Sequence, residues 1–148
     1  EGVTKMEKKV ALMLMSHGDF ATELMRSLEF IIGKQDNYDT LGVHLDDQID
    51  DLRKQMFEKI DNLDTEAGLI VFTDIVSGTP MNLAGLLLER DNVLLCSGMN
   101  LPVLLEVSLN RENTVEELKE LIKDVYQNGM VMRTNADISE EDADDLLL

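Results

Sequence analysis

The sequence predicts an α/β protein: a doubly wound, mostly parallel sheet with strand order about 2-1-3-4 and helices on both faces. Two apolar runs of six residues, Val10 to Met15 and Ala67 to Phe72, are unbroken, as strands covered on both faces require. Each leads through a short polar loop into a segment whose apolar residues recur every three or four positions. Strand-like and helix-like segments then alternate, which implies parallel pairing through right-handed crossovers. With 148 residues, 44% of them apolar, residues 1–148 read as one domain, and no apolar run approaches the ~18 residues that cross a bilayer.

The first strand, Val10 to Met15, closes on Ser16-His17-Gly18. Asp19 is placed to cap a helix with Phe20, Leu24, Leu28, Ile31 and Ile32 inward, and Gly33 to end it. Leu41 to Leu45 reads as a shorter second strand with His44 inside it as a structural residue. A helix from about Asp47 follows, its Ile49, Leu52, Met56, Ile60 and Leu63 on one face. The third strand runs into Thr73-Asp74 and a loop ending at Thr79-Pro80, where Thr as cap and Pro in the first turn start a helix to about Glu89. That helix is apolar nearly all round, which predicts deep burial and a face for a second copy. Val93 to Cys96 is the fourth strand, and a short helix is expected over Pro102 to Leu109. Thr114 and Glu117 form a capping box opening a last amphipathic helix, with Val115, Leu118, Leu121, Ile122 and Val125 inward and Gly129 at its end. Met130 to Met132 is expected as one further strand.

Thirteen basic against thirty acidic side chains leave a net charge of −17, which repels nucleic acid and anionic lipid. The tail from Ala136 to Leu148 holds six acids and no base and is expected to be mobile; Glu1 to Lys5 read as residues ahead of the natural start at Met6. Cys96 stands alone, so no intramolecular disulfide and no C-x-x-C zinc pattern can form; a buried, inert thiol is expected there. Without a secretory leader pattern, the expected compartment is the cytoplasm.

In an open parallel sheet, ligands and chemistry gather where loops leave the carboxyl ends of the strands. His17 falls there after the first strand and Asp74 after the third. A carboxylate on one ring nitrogen fixes the tautomer, stabilises the imidazolium and leaves the other nitrogen as nucleophile. The loop from Ser77 to Asn82 ends in helix amides suited to an anion. Together these residues read as a phosphohistidine site. A metal site lacks ligands, and G-x-S-x-G, G-x-x-x-x-G-K-[ST] and G-x-G-x-x-G do not occur. A receiver domain would need acids after the first strand, and a flavin would need aromatics that Tyr38 and Tyr126 do not supply. No metal and no cofactor are expected.

Met15-Ser16-His17-Gly18, the segment Phe72 to Asn82, and Gly98-Met99-Asn100-Leu101-Pro102 resemble the three signature segments of the mannose-family enzyme IIA domain of the bacterial phosphotransferase system. The resemblance covers about residues 8–135 in order and spacing. It implies that His17 accepts a phosphoryl group from HPr and gives it to enzyme IIB during sugar uptake, that Asp74 holds the His17 ring, and that Ser77, Gly78 and Thr79 surround the phosphoryl group. The family frequently has two glycines where this chain reads Ser77-Gly78, so a glycine-like backbone angle is a concern at Ser77. A homodimer with an exchanged, antiparallel C-terminal strand is implied, using Met130 to Met132. Ile75, Val76, Met81 and Met99 are expected to form an apolar rim on which HPr and enzyme IIB dock. Two alternatives stay open: the phosphocarrier domain that feeds dihydroxyacetone kinase, and a non-catalytic binding or sensor module on the same scaffold.

Overall fold

The computed structural model describes residues 7–137. The expectations for Glu1 to Lys5 and for the tail beyond residue 137 lie outside the described residues. The strands are β1 (Ala11–His17), β2 (Tyr38–Val43), β3 (Leu69–Thr73) and β4 (Val93–Ser97). They form one parallel sheet in the order β2-β1-β3-β4, as the alternation predicts. The helices are α1 (Phe20–Ile32), α2 (Ile49–Asp61), α3 (Thr79–Gly85), α4 (Leu101–Ser108) and α5 (Val115–Asn128).

The unbroken apolar runs are explained by two cores. Leu12, Leu14, Ile70 and Phe72 face α1, α4 and α5, while Met13, Met15, Leu69 and Val71 face α2 and α3. Every residue from Val10 to Ser16 is withdrawn from solvent, because β1 is central and covered on both sides. Each such Leu, Met or Phe contributes about 1.5–3 kcal/mol of hydrophobic stabilisation. The pairing Met15↔Thr73 then places the loops after β1 and β3 side by side at one edge, and the pairing His17↔Val43 brings the end of β2 to the same place.

Several elements differ from their sequence prediction. β2 spans Tyr38–Val43 instead of Leu41 to Leu45: Asn37, at φ +50°, turns the chain into the strand early, and Asp47 accepts the backbone N–H of His44 to end it. His44 therefore follows the strand, and Leu45 is fully exposed. In α1 the buried residues are Ala21, Met25 and Leu28, leaving Phe20 and Ile31 outside, and in α2 Ile49 is exposed while Leu52, Met56 and Ile60 are buried. α3 is capped by Gly78, not Thr79, and becomes a 3-10 helix over Leu86–Glu89 that leaves Leu86 and Leu88 exposed. The capping box of α5 forms between Thr114 and Glu117. Met130 to Met132 forms no strand in this chain; the three residues follow α5 with their side chains exposed to solvent.

The candidate active site

β1 ends at His17, and Gly18, at φ +58°, turns the chain into α1. The hydroxyl that caps α1 belongs to Ser16, whose Oγ accepts the Ala21 N–H at 2.8 Å. Asp19 occupies the cap position without using its side chain there, which frees its carboxylate for another partner.

Asp74 is the first residue past β3. Its Oδ2 accepts the His17 backbone N–H at 2.9 Å and faces His17 Nδ1 at 2.9 Å, and its Oδ1 accepts the Ile75 N–H at 2.9 Å. The carboxylate side chain is only 14% exposed, whereas the His17 side chain is 50% exposed. Burial opposes ionisation of Asp74, but the hydrogen bonds from the His17 backbone, the His17 ring and the Ile75 backbone outweigh it and hold the carboxyl below its ordinary value. An ionised acceptor at Nδ1 makes that nitrogen the protonated one. Nε2 has no hydrogen-bond partner among the described residues.

Gly78 lies directly against that free nitrogen. A Cβ there would stand 2.7 Å from Nε2 and 2.9 Å from Cε1, and the residue is at φ +92°, so glycine is required on both counts. Ser77 is exposed and does not adopt a positive φ, so the serine fits its backbone without strain. Thr79, half-buried, begins α3, and its neighbour Pro80 is buried.

The expected apolar rim divides in two. Ile75 and Val76 are exposed beside Asp74. Met81 is half-buried, its sulfur accepting the Thr73 hydroxyl at 3.6 Å. Met99 does not belong to the rim: at 5% exposure it packs in the α1–α4–α5 core, because the Gly98 and Met99 amides both donate to Thr73 O and pull the chain inward.

His44, expected as a structural residue inside the second strand, instead follows β2 at the same edge as His17. Its Nε2 lies 2.9 Å from Asp19 Oδ1, its Nδ1 lies 3.6 Å from Asp47 Oδ2, and its backbone N–H donates to the same Oδ2 at 2.7 Å. The hydrogen bond with Asp19, more than any other interaction, raises its proton affinity above that of an ordinary histidine. His17, His44, Leu45, Asp47, Ile49 and Thr79 are among the residues around a cleft of about 480 Å³ at the strand ends. The signal was available in the parallel register: if Val43 pairs with His17, residue 44 must emerge at the same edge. Among the described residues, no three His, Cys, Asp or Glu side chains come together in an arrangement suited to a metal.

The family model for the PTS (phosphotransferase system) fructose IIA component, of the mannose class, matches residues 11–126. The chain belongs to this enzyme IIA family. It is 28% identical over 117 residues to the fructose-specific EIIA component of Bacillus subtilis, covering 78% of this chain and 79% of that one. It is 23% identical over 124 residues to the mannose-specific EIIAB component of Escherichia coli, covering 82% of this chain but only 38% of that longer protein. A crystal structure of the phosphotransferase system component EIIA from Streptococcus agalactiae superposes with a TM-score of 0.74 at 25% identity, over 83% of this chain and 96% of that one. This enzyme IIA chain is thus a phosphotransferase component of a sugar transport system. Among the described residues no helix is long and apolar enough to cross a membrane.

Proposed function

We propose that His17 accepts a phosphoryl group on Nε2 from phosphorylated HPr and passes it to enzyme IIB. The observation that carries this reading is the asymmetry of the imidazole: Nδ1 is held by a sheltered carboxylate at 2.9 Å, and Nε2, on a half-exposed ring, is unpartnered among the described residues. The Nε2 lone pair attacks phosphorus in line as the bond from phosphorus to the donor histidine breaks. The proton stays on Nδ1, and Asp74 offsets the positive charge that develops on the ring. In the second transfer the Nε2–P bond breaks, the electron pair returns to Nε2, and the nucleophile on enzyme IIB takes the phosphoryl group.

Gly78 and Thr79 offer backbone donors at the start of α3, and Ser77 a hydroxyl, around the position the phosphoryl group would occupy. Ile75 and Val76 form the docking rim beside Asp74, and the acidic surface attracts a basic donor protein. A homodimer accounts for the exposed Met130, Val131 and Met132 and for the unpaired outer edge of β4, since a strand from a second copy would cover both kinds of surface. Sedimentation of the full chain gives twice the monomer mass on this reading, and a monomer removes it.

The function is tested with phosphoenolpyruvate, enzyme I and HPr. An acid-labile phosphoryl adduct is expected on the wild-type chain and on His44→Gln, and none on His17→Ala. Absence of the adduct from the wild type would leave a binding module in its place.

A further inference from the structure

We propose that His44 is a positioning residue of the same site: clamped as a cation between Asp19 and Asp47, it closes the wall of the cleft beside His17 and offsets those carboxylates when His17 carries a phosphoryl group. This deepens the phosphohistidine reading and rests on it. An imidazole has one proton when neutral and two when cationic, so a carboxylate oxygen close to each nitrogen favours the cation. His44 has such a pair: Asp19 is hydrogen-bonded to Nε2 at 2.9 Å, and Asp47 lies in ion-pair range of Nδ1 at 3.6 Å. His17 does not, because only its Nδ1 has such a neighbour.

The clamp joins two separate loops. Asp19 lies two residues after His17 in the turn into α1, and Asp47 lies in the loop into α2. His44 therefore fixes the distance between the backbone that carries the nucleophile and the opposite wall of the cleft. Charge gives it a second role. The lining of the cleft holds Asp47 and the two histidines, with no lysine or arginine among the described residues. A dianionic phosphoryl group on Nε2 would enter a region that already holds Asp19, Asp47 and, behind His17, Asp74. His44 is the cationic group placed to offset them. The groups facing it are Asp19 from the turn after β1, Asp47 from its own loop, and His17 across the cleft.

The raised proton affinity of His44 has the sign this role requires. The cation is fully formed below the ordinary histidine value of about 6.5 and persists above it, so its support for phosphorylation is complete below that value and is lost as pH rises through the raised midpoint. Coupling is reciprocal: if cationic His44 favours phosphorylated His17, phosphorylation must tighten proton binding at His44 by the same factor.

The test uses the full chain and its two histidines, whose ring proton resonances are assigned by difference with His44→Gln. Phosphorylation by phosphoenolpyruvate with catalytic enzyme I and HPr is expected to move the His44 titration midpoint upward by roughly 0.5 to 1 in pH, the three- to tenfold effect expected between nearby exposed charges. In His44→Gln the equilibrium share of phosphorylated His17, read against a fixed ratio of phosphorylated to free HPr, should fall by roughly the same three- to tenfold at pH 6 and approach the wild-type value near pH 9. His44→Lys should restore the share and lose the pH dependence. An unchanged His44 midpoint on phosphorylation, in a wild-type chain that does carry the adduct, overturns the inference and leaves the phosphohistidine reading standing. Absence of the adduct overturns both.

Discussion

At the amino ends of the strands the side chain of Arg111 lies 1% exposed, its Nε donating to Val10 O and its two terminal nitrogens to Asp36 O and Asn37 O at 2.6 Å. Asn37 adds bonds to Lys9 O and to both backbone groups of Asp64, so the segments that enter β1, β2 and β3 are tied to one another at this end. At the carboxyl ends, His17 is half exposed with no partner for Nε2 among the described residues, Ile75 and Val76 face solvent, and the loops bound an open cleft. The difference teaches how one sheet serves two purposes. At one end Arg111 and Asn37 bind main-chain groups of neighbouring segments and hold the strands in register; at the other, Nε2 of His17 has no partner among the described residues.

The largest expected effect falls on the open end. Asp74→Asn keeps the shape but removes the charge that holds Nδ1, and phosphoryl transfer to His17, followed by rapid quench, should slow by about 10²- to 10⁴-fold. The same variant shows the sign of the linkage. Because the Asp74 carboxyl sits below its ordinary value, its contribution to stability is present above about pH 3.9 and is lost as pH falls through the lower folded value. The stability gap between the wild type and Asp74→Asn should therefore close on acidification in a denaturant series. An equal gap at all pH values would show that geometry, not charge, is what Asp74 supplies.

Next comes the closed end, where the effect should be on stability alone. Arg111→Ala removes three buried hydrogen bonds, to Val10 O, Asp36 O and Asn37 O, of which Asn37 O keeps the Leu12 N–H, and should cost about 3 kcal/mol, lowering the melting temperature by roughly 6–12 °C. Phosphorylation measured well below that melting point should be unchanged. A loss of transfer in folded Arg111→Ala would break the separation between the two ends.

Gly78→Ala returns to the open end with a smaller effect. The added methyl would crowd Nε2 at 2.7 Å and the backbone would be strained at φ +92°, so transfer should drop by about tenfold or more while stability falls by about 1 kcal/mol. The smallest effect sharpens the comparison from a position that belongs to neither group. Asn100 caps α4 by accepting the Val103 N–H at 2.9 Å, and Asn100→Ala should cost about 1 kcal/mol in chemical denaturation with transfer unaltered.

The central features of the fold were legible in the sequence because parallel strands buried on both faces must be apolar without interruption, and β1 and β3 are so over Ala11 to Met15 and Leu69 to Phe72. His17 and Asp74 were legible for the same reason, since the ends of those runs mark the edge of the sheet. β2 was displaced by about three residues because an edge strand reading Tyr38-Asp39-Thr40 carries no such pattern, and its limits come from pairing with β1. That displacement hid His44 inside a strand. The stripe of α1 is also rotated, so that Ala21, Met25 and Leu28 face the core while Phe20 does not, because the helix start is set by the Ser16 hydroxyl on the Ala21 amide. Met99 was misplaced because its loop is turned inward by two amides sharing Thr73 O, a contact between strands that no local pattern encodes.

The order of elements, the two apolar cores and the presence of a histidine and a carboxylate at neighbouring strand ends were determined by the sequence itself, through periodicity and burial, which are local properties of a chain in water. Which nitrogen of His17 is free, that Gly78 must be bare to leave it room, and that His44 stands across the cleft between Asp19 and Asp47 were decided only in three dimensions. Those features depend on distances of about 3 Å between residues far apart in the chain, 57 positions for His17 and Asp74, and such distances are set by strand register and packing.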